Sequence, residues 1–336
     1  MSSAGAEIIQ SLSELQIIGT LEVVPKLLKV YTILKKLKHY FAQNPPALCI
    51  LIDFPDFHFL IGKFLKKSGV PVIYFVSPQI WAWRPSRITT IKKFVHTMIP
   101  LYEFEYNLYK NAGVPAFYCG HPLLDIVKPE MDQKEFCRVN TIPENAFTLT
   151  LMPGSRISEI NKHMPTLLTI CHLIKKKHDV SFLLIKAPSL PHNAFSPYNL
   201  EHLNIKIIEK NKYAAMKYSH LLLMSSGTAT VEACITETPM IVFYKLNQLS
   251  WIVGKWLVTT RYLAMVNILA NKEIVPEFYQ NNFKPQPIAE LASQMIANPH
   301  LLKQQTNNLI QLKKLLGAGN ASHAIAEFIV KFTSSW

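Results

Sequence analysis

The sequence has little that would fix a covalent or metal-built framework. Its 336 residues include five cysteines, Cys49, Cys119, Cys137, Cys171 and Cys234, and no CxxC pair. Scattered and odd in number, they read as reduced thiols in a reducing compartment, not as disulfides or zinc ligands. No apolar run is long enough to cross a bilayer as a helix, and the N-terminus lacks the pattern of a secretory signal. Neither a Walker loop nor a GxGxxG occurs, which disfavours ATP and NAD. HExxH and GxSxG are missing too, so the histidines suggest no zincin and the serines no hydrolase triad. Acid is scarce: 22 Asp and Glu face 35 Lys and Arg, a net charge of +13. That excess favours anionic partners such as nucleic acid, anionic lipid or phosphorylated metabolites. The expected place is the cytoplasm, with room for contact with a membrane surface.

What is present is an ordered alternation. Hydrophobic residues make up 49% of the chain, so it is globular, and its length suits two domains. Short β-rich runs at 48–52, 71–76, 116–119, 147–152, 181–186, 204–209, 220–224 and 240–244 are separated by helical patterns. Such alternation implies α/β units with parallel sheets. A polar, proline-bearing stretch near 140–146 marks the boundary between two Rossmann-like domains. In such sheets ligands bind beyond the carboxyl ends of the strands, so the residues just after each strand carry the chemistry.

Four post-strand segments stand out. LMPGSRISE (151–159) places Gly154 for close backbone approach, Ser155 and its neighbours to offer N–H groups at a helix start, and Arg156 as a bidentate cation. An ordinary turn with a surface arginine reads the same way. SSGTATVEA (225–233) repeats the design with Ser226, Gly227 and Thr228, and Glu232 one turn along could hold sugar hydroxyls. Helix capping by Ser or Thr is the bland alternative. Together the two turns favour a nucleotide diphosphate. VSPQIWAWRPSR (76–87) sets Ser77, Trp81, Trp83, Arg84 and Arg87 after a strand, suited to a sugar ring, an acyl chain or a phosphate, or simply to packing. ILIDFPDF (50–57) ends a strand in Asp53 and Asp56. Helix capping accounts for Asp56 after Pro55, which leaves Asp53 as the candidate general base. His121, in CGHPLLD, is a further candidate.

Residues 23–52 contain no acid at all. Leu27, Val30, Tyr31 and Leu34 share one helical face with Lys35 and Lys36 beside it, the pattern of a basic amphipathic helix that seeks a membrane surface. A core helix with a solvated lysine face gives the same pattern. A second apolar helix is expected at 249–263.

In order and spacing, these segments resemble the lipid-A-disaccharide synthase family, glycosyltransferases of the GT-B fold. IDFPDF, VSPQIWAWR, YEFEYNLY, GVPAFYCGHPLLD, LMPGSRISEI, SSGTATVEA, TPMIVFYK and MVNILANKEIVPEFYQ carry the likeness. The resemblance implies a GT-B chain with two Rossmann-like domains facing an interdomain cleft. It sets an acceptor- and membrane-side domain at 1–142, to which a helix at 320–336 returns, and a UDP-sugar domain at 143–319.

The implied reaction joins UDP-2,3-diacylglucosamine to 2,3-diacylglucosamine 1-phosphate with inversion, without a metal or other cofactor. The setting is the cytoplasmic face of the inner membrane of a Gram-negative cell, and no nucleic acid takes part; oligomerisation is left open. By the same likeness Asp53 and Arg156 are catalytic. Gly154, Ser155, Arg156, Ser226, Gly227, Thr228, Glu232, Asn267 and Glu273 bind the donor, and Ser77, Trp83, Arg84 and His121 lie on the acceptor side. Family members open with a strand and a GExSGD-like loop, and MSSAGAEIIQ resembles sequence already past them. The first domain is therefore expected to be incomplete. The rival expectations are an inactive lipid- or nucleotide-binding remnant, or another UDP-sugar GT-B enzyme, such as a peptidoglycan glycosyltransferase or an epimerase.

Overall fold

A computed structural model of the chain describes residues 4–10, 23–247, 251 and 260–334. The apolar helix expected at 249–263 lies largely outside them, as does the side chain of Leu27. The chain forms two compact units. One comprises Met1–Cys119 with His323–Trp336, and the other Gly120–Ser322.

The first unit carries, among its described residues, a parallel sheet of β1 (Cys49–Ile52), β2 (Val72–Phe75) and β3 (Thr97–Ile99), in that order. Side chains alternate across a strand. Val72 and Tyr74 enter a core with Leu65, Ile91, Phe94, Met98 and Tyr109. Ile73 and Phe75 face the other way, against Ile325, Phe328 and Phe332 of the helix Ala321–Ser334. Burial on both faces is why this strand reads as an unbroken apolar run. AFYC (116–119), expected as a strand, makes only an isolated bridge from Ala116 to Met98. The pairing strand is β3, three residues long and inconspicuous in the sequence.

Among its described residues the second unit holds six parallel strands in the order β6-β5-β4-β7-β8-β9. They are β4 (Phe147–Met152), β5 (Val180–Ile185), β6 (Lys206–Ile208), β7 (Leu221–Ser225), β8 (Met240–Tyr244) and β9 (Glu277–Tyr279). Numbered within the unit, that order is 3-2-1-4-5-6, the doubly wound arrangement. One face packs Leu149, Leu151, Phe182, Leu184, Leu221, Leu223 and Ile241 on the helices Ile157–Lys175 and Pro285–Ala297. The other packs Leu183, Ile185, Leu222, Met224, Met240 and Val242. Chain order reverses between β4 and β7, and there the helices diverge to opposite faces and open a crevice at the strands' carboxyl ends.

The boundary drawn from sequence at 142/143 differs from the observed division at Cys119/Gly120. Phe136, Cys137 and Ile142 are buried in the second unit's core, which ties that polar stretch to the second unit.

Candidate functional site

The crevice between β4 and β7 contains a cavity of about 390 Å³. Its walls include Gly154, Ser155 and Arg156 after β4, and Ser226, Gly227 and Thr228 after β7; Lys212, Glu232 and Tyr244 complete them. Two distant segments of sequence thus meet because the sheet order reverses between them. Seven of the nine residues expected at the donor site, Gly154, Ser155, Arg156, Ser226, Gly227, Thr228 and Glu232, border this one cavity.

The detail after β4 departs from the expectation. The backbone N–H groups of Ser155 and Arg156 do not face open space; both donate to Glu159 Oε2, at 2.8 and 3.2 Å. Glu159 Oε1 accepts from Arg156 Nη1 at 3.1 Å and from the Tyr244 hydroxyl at 3.0 Å. A carboxylate in the first helical turn is favoured by the helix dipole and satisfies its unpaired N–H groups, so here it fills the place assigned to a phosphate. Gly154 serves the same contact. Its φ is +131°, and a Cβ there would stand 2.4 Å from Glu159 Oε2 and 2.8 Å from Glu159 Cβ. The glycine admits Glu159, not a ligand.

His163, one turn after Glu159, completes this support and was not anticipated. It is fully buried, with Nδ1 2.6 Å from Pro153 O and Nε2 accepting from Lys245 N at 3.1 Å. Burial holds its pKa below the ordinary histidine value, so the neutral ring donates at Nδ1 and accepts at Nε2. Glu159 and His163 lie four apart on one helical face, a sequence signal that could have been read.

After β7 the turn is open. Gly227 and Thr228 are exposed, and a Cβ on Gly227 would meet nothing within 4 Å. Glu232 is 8% exposed; its Oε2 pairs with Lys212 Nζ at 2.5 Å and its Oε1 accepts from the Tyr213 hydroxyl at 3.3 Å. The cavity therefore has an exposed cation, Arg156, with its side chain 74% exposed, and a paired, buried carboxylate at Glu232. That combination can meet a diphosphate and a pair of vicinal hydroxyls.

Asn267 and Glu273 do not border this cavity. Asn267 is fully buried and spends its amide internally: Nδ2 donates to Val275 O and Glu277 Oε1, and Oδ1 accepts from Ile274 N and Val275 N. It knots the loop before β9. Glu273 is exposed on another surface, beside a separate hollow formed with Met295 and Gln304.

In the first unit, Asp53 ends β1 with φ +52°, and Phe54 follows at +43°. Two consecutive left-handed non-glycine residues are strained and need outside support. The Asp53 carbonyl supplies the anchor, accepting from the Tyr74 hydroxyl at 2.6 Å with His58 Nδ1 also at 2.6 Å. The Asp53 side chain is exposed. Asp56 is not a helix cap: Phe54 holds that position, and Asp56 pairs with Arg87 and Arg84 in the first turn of Pro55–Lys67. Trp83 stacks with Arg84, 4.2 Å from the ring centre, and so joins this cluster.

Ser77 is buried and bonded to the Tyr109 hydroxyl, 2.9 Å away. Glu105, also unanticipated, is 2% exposed and accepts from Trp81 Nε1 at 3.0 Å and Leu101 N at 3.2 Å. Burial pushes its pKa up to about 7. His121 was expected on the acceptor side. It belongs to the second unit, where its N–H donates to Leu316 O at 2.7 Å and its Nδ1 accepts from Leu123 N at 3.1 Å; burial lowers its pKa to about 4. On the helix Val23–Gln43, Leu34 is buried in the core, a packing role and not a lipid-facing one. Val30 is partly buried against the same core, whereas Tyr31, Lys35 and Lys36 are exposed.

Comparison with known proteins decides the family. The model of the family described as lipid-A-disaccharide synthetase matches residues 1–329. The chain belongs to the lipid-A-disaccharide synthase family. It is 33% identical to the lipid-A-disaccharide synthase of Solibacter usitatus over 98% of this chain and 87% of the relative. The synthases of Geobacter sulfurreducens and Coxiella burnetii are each 32% identical over the same shares. Among solved structures, a Neisseria meningitidis UDP-GlcNAc 2-epimerase bound to UDP-GlcNAc aligns with TM-score 0.61 and 17% identity, covering 94% of this chain and 84% of that one. Acinetobacter baumannii MurG aligns with TM-score 0.54 and 11% identity, covering 91% and 79%. The synthase family is one of glycosyltransferases, and the chain shares the GT-B fold of these neighbours.

Proposed function

We propose that the chain transfers diacylglucosamine from UDP-2,3-diacylglucosamine to the 6-hydroxyl of 2,3-diacylglucosamine 1-phosphate, with inversion, releasing UDP. The observation that carries this reading is the 390 Å³ cavity at the strand-order reversal, where Arg156 and the Ser226–Thr228 turn border the same space as Glu232. UDP is seated with its ribose hydroxyls on Glu232 and its diphosphate at the turn. Arg156 leaves Glu159 for the diphosphate and offsets the charge that develops as the glycosidic bond breaks. Asp53 takes the proton of the attacking hydroxyl. Its strained turn is anchored twice at the backbone carbonyl, which fixes the main chain from which the carboxylate projects.

Both substrates are anionic and acylated, and the +13 net charge suits them. A peripheral position on the anionic cytoplasmic face of a Gram-negative inner membrane is part of this reading, and the exposed Tyr31, Lys35 and Lys36 support it. No helix among the described residues is long and apolar enough to cross it. The test is an assay of the purified chain with both acylated substrates and excess chelator, following UDP release and disaccharide. Formation of both products supports the reading; UDP binding without turnover identifies a non-catalytic remnant instead.

A further inference from the structure

A second, smaller chamber of about 170 Å³ lies against the nucleotide cavity. Tyr244, Leu246, Trp251, Leu263 and Tyr279 form most of its lining. Ser226 and Tyr244 border both spaces, so the two adjoin at these side chains. Their chemistry differs sharply. The larger cavity contains Arg156, Lys212 and Glu232, whereas among the described residues no charged side chain lines the smaller one. Three of its polar groups are engaged: Ser226 Oγ donates to Leu263 O at 3.0 Å, the Tyr244 hydroxyl donates to Glu159 Oε1 at 3.0 Å, and Gln280 Oε1 accepts from Leu246 N at 3.0 Å. Most of the rest is hydrocarbon and ring surface, with the Trp251 and Tyr279 rings 5.7 Å apart.

The order of groups along the crevice gives this chamber its occupant. Glu232 lies one helical turn beyond Thr228, and Lys212 is paired to it, so the ribose end is the Glu232 end. The diphosphate follows at the Ser226–Thr228 turn. Whatever the diphosphate carries must continue past Ser226 and Tyr244, which is where the apolar chamber begins. We infer that the chamber is an acyl-chain subsite: it receives a hydrocarbon chain borne by the sugar of the nucleotide donor. This rests on the nucleotide reading of the larger cavity. A cavity of about 150 Å³ with apolar walls binds benzene, so this one holds about six carbons, and a longer chain projects beyond it. Each methylene buried there raises affinity about fourfold.

The test uses UDP and a series of UDP-2,3-diacylglucosamines with chains of two, four, six and ten carbons, titrated calorimetrically into the whole chain. Affinity is expected to climb with chain length to about six carbons and then level off. Leu263→Trp, which fills the chamber, flattens that climb while UDP itself binds as to the wild type. Leu246→Ala, which enlarges it, moves the plateau to longer chains and decides the matter if the tryptophan variant does not fold. A chain-length profile unchanged by either substitution overturns the inference, as does an equal loss of affinity for UDP and acylated donor. UDP binding with no chain-length dependence refutes the acyl subsite alone. No UDP binding by the wild type refutes the nucleotide reading, and the subsite with it.

Discussion

Replacing Gly154 by alanine isolates the carboxylate that braces the phosphate-side turn. At φ +131° an L-residue is strained by about 1–3 kcal/mol. The new Cβ would also overlap Glu159 at Oε2 and Cβ, 2.4 and 2.8 Å away, so the carboxylate must move off the Ser155 and Arg156 N–H groups. Losing one charge-assisted bond of that kind costs about 1.5–3 kcal/mol. The sum is a destabilisation of about 3–5 kcal/mol, and for a unit of this size each kcal/mol lowers the melting temperature by about 2–4 °C. Scanning calorimetry of Gly154→Ala should therefore show the second unit melting roughly 10 °C lower. Gly227→Ala is the control, because its Cβ meets nothing within 4 Å; its melting should shift by less than about 2 °C. Equal melting of Gly154→Ala and wild type would refute the bracing role of Glu159.

Three other outcomes are expected. Glu105 titrates at about 7 when folded, so the folded state binds the extra proton between the ordinary carboxylate range and pH 7. Its contribution is fully present below the unfolded pKa and is lost as pH rises to about 7. Urea titrations should show the first unit's dependence on pH across that window reduced in Glu105→Gln by about 3 kcal/mol, and identical slopes would refute it. His121, lowered to about 4, has the opposite sign: its contribution in the second unit is present above the ordinary histidine value and is lost as pH falls toward 4, so His121→Asn should blunt acid destabilisation there. Tyr74→Phe removes one of two anchors on the Asp53 carbonyl at a cost of about 1 kcal/mol; kcat should fall with KM for the donor unchanged, and a fall in melting temperature with kcat preserved would remove its positioning role.

Much of the second unit was readable because its strands are buried on both faces and appear as unbroken apolar runs bounded by turn residues. FTLTLM and MIVFY match β4 and β8. The three-residue strands β3 and β9 carry too few side chains for any period to show. The pairing of PGSR with SSGT was legible because ligand sites follow strand ends. Which N–H groups were open was not, because Glu159, a residue already inside the quoted motif, reaches back to claim them. Asn267 illustrates the converse: its residue type suggests binding, yet four internal hydrogen bonds explain its presence. Glu105 left no signal, since a charged residue in an amphipathic helix reads as solvated until its burial against Trp81 is seen.

Calorimetric titration of UDP into the wild-type chain and into Glu232→Gln and Arg156→Lys tests the nucleotide site most directly. Wild type should bind UDP, and each variant should bind it at least about tenfold more weakly, the equivalent of about 1.4 kcal/mol, with melting temperature preserved. Absence of UDP binding by the wild type, or equal affinity in all three proteins, would contradict a donor site at the reversal of strand order.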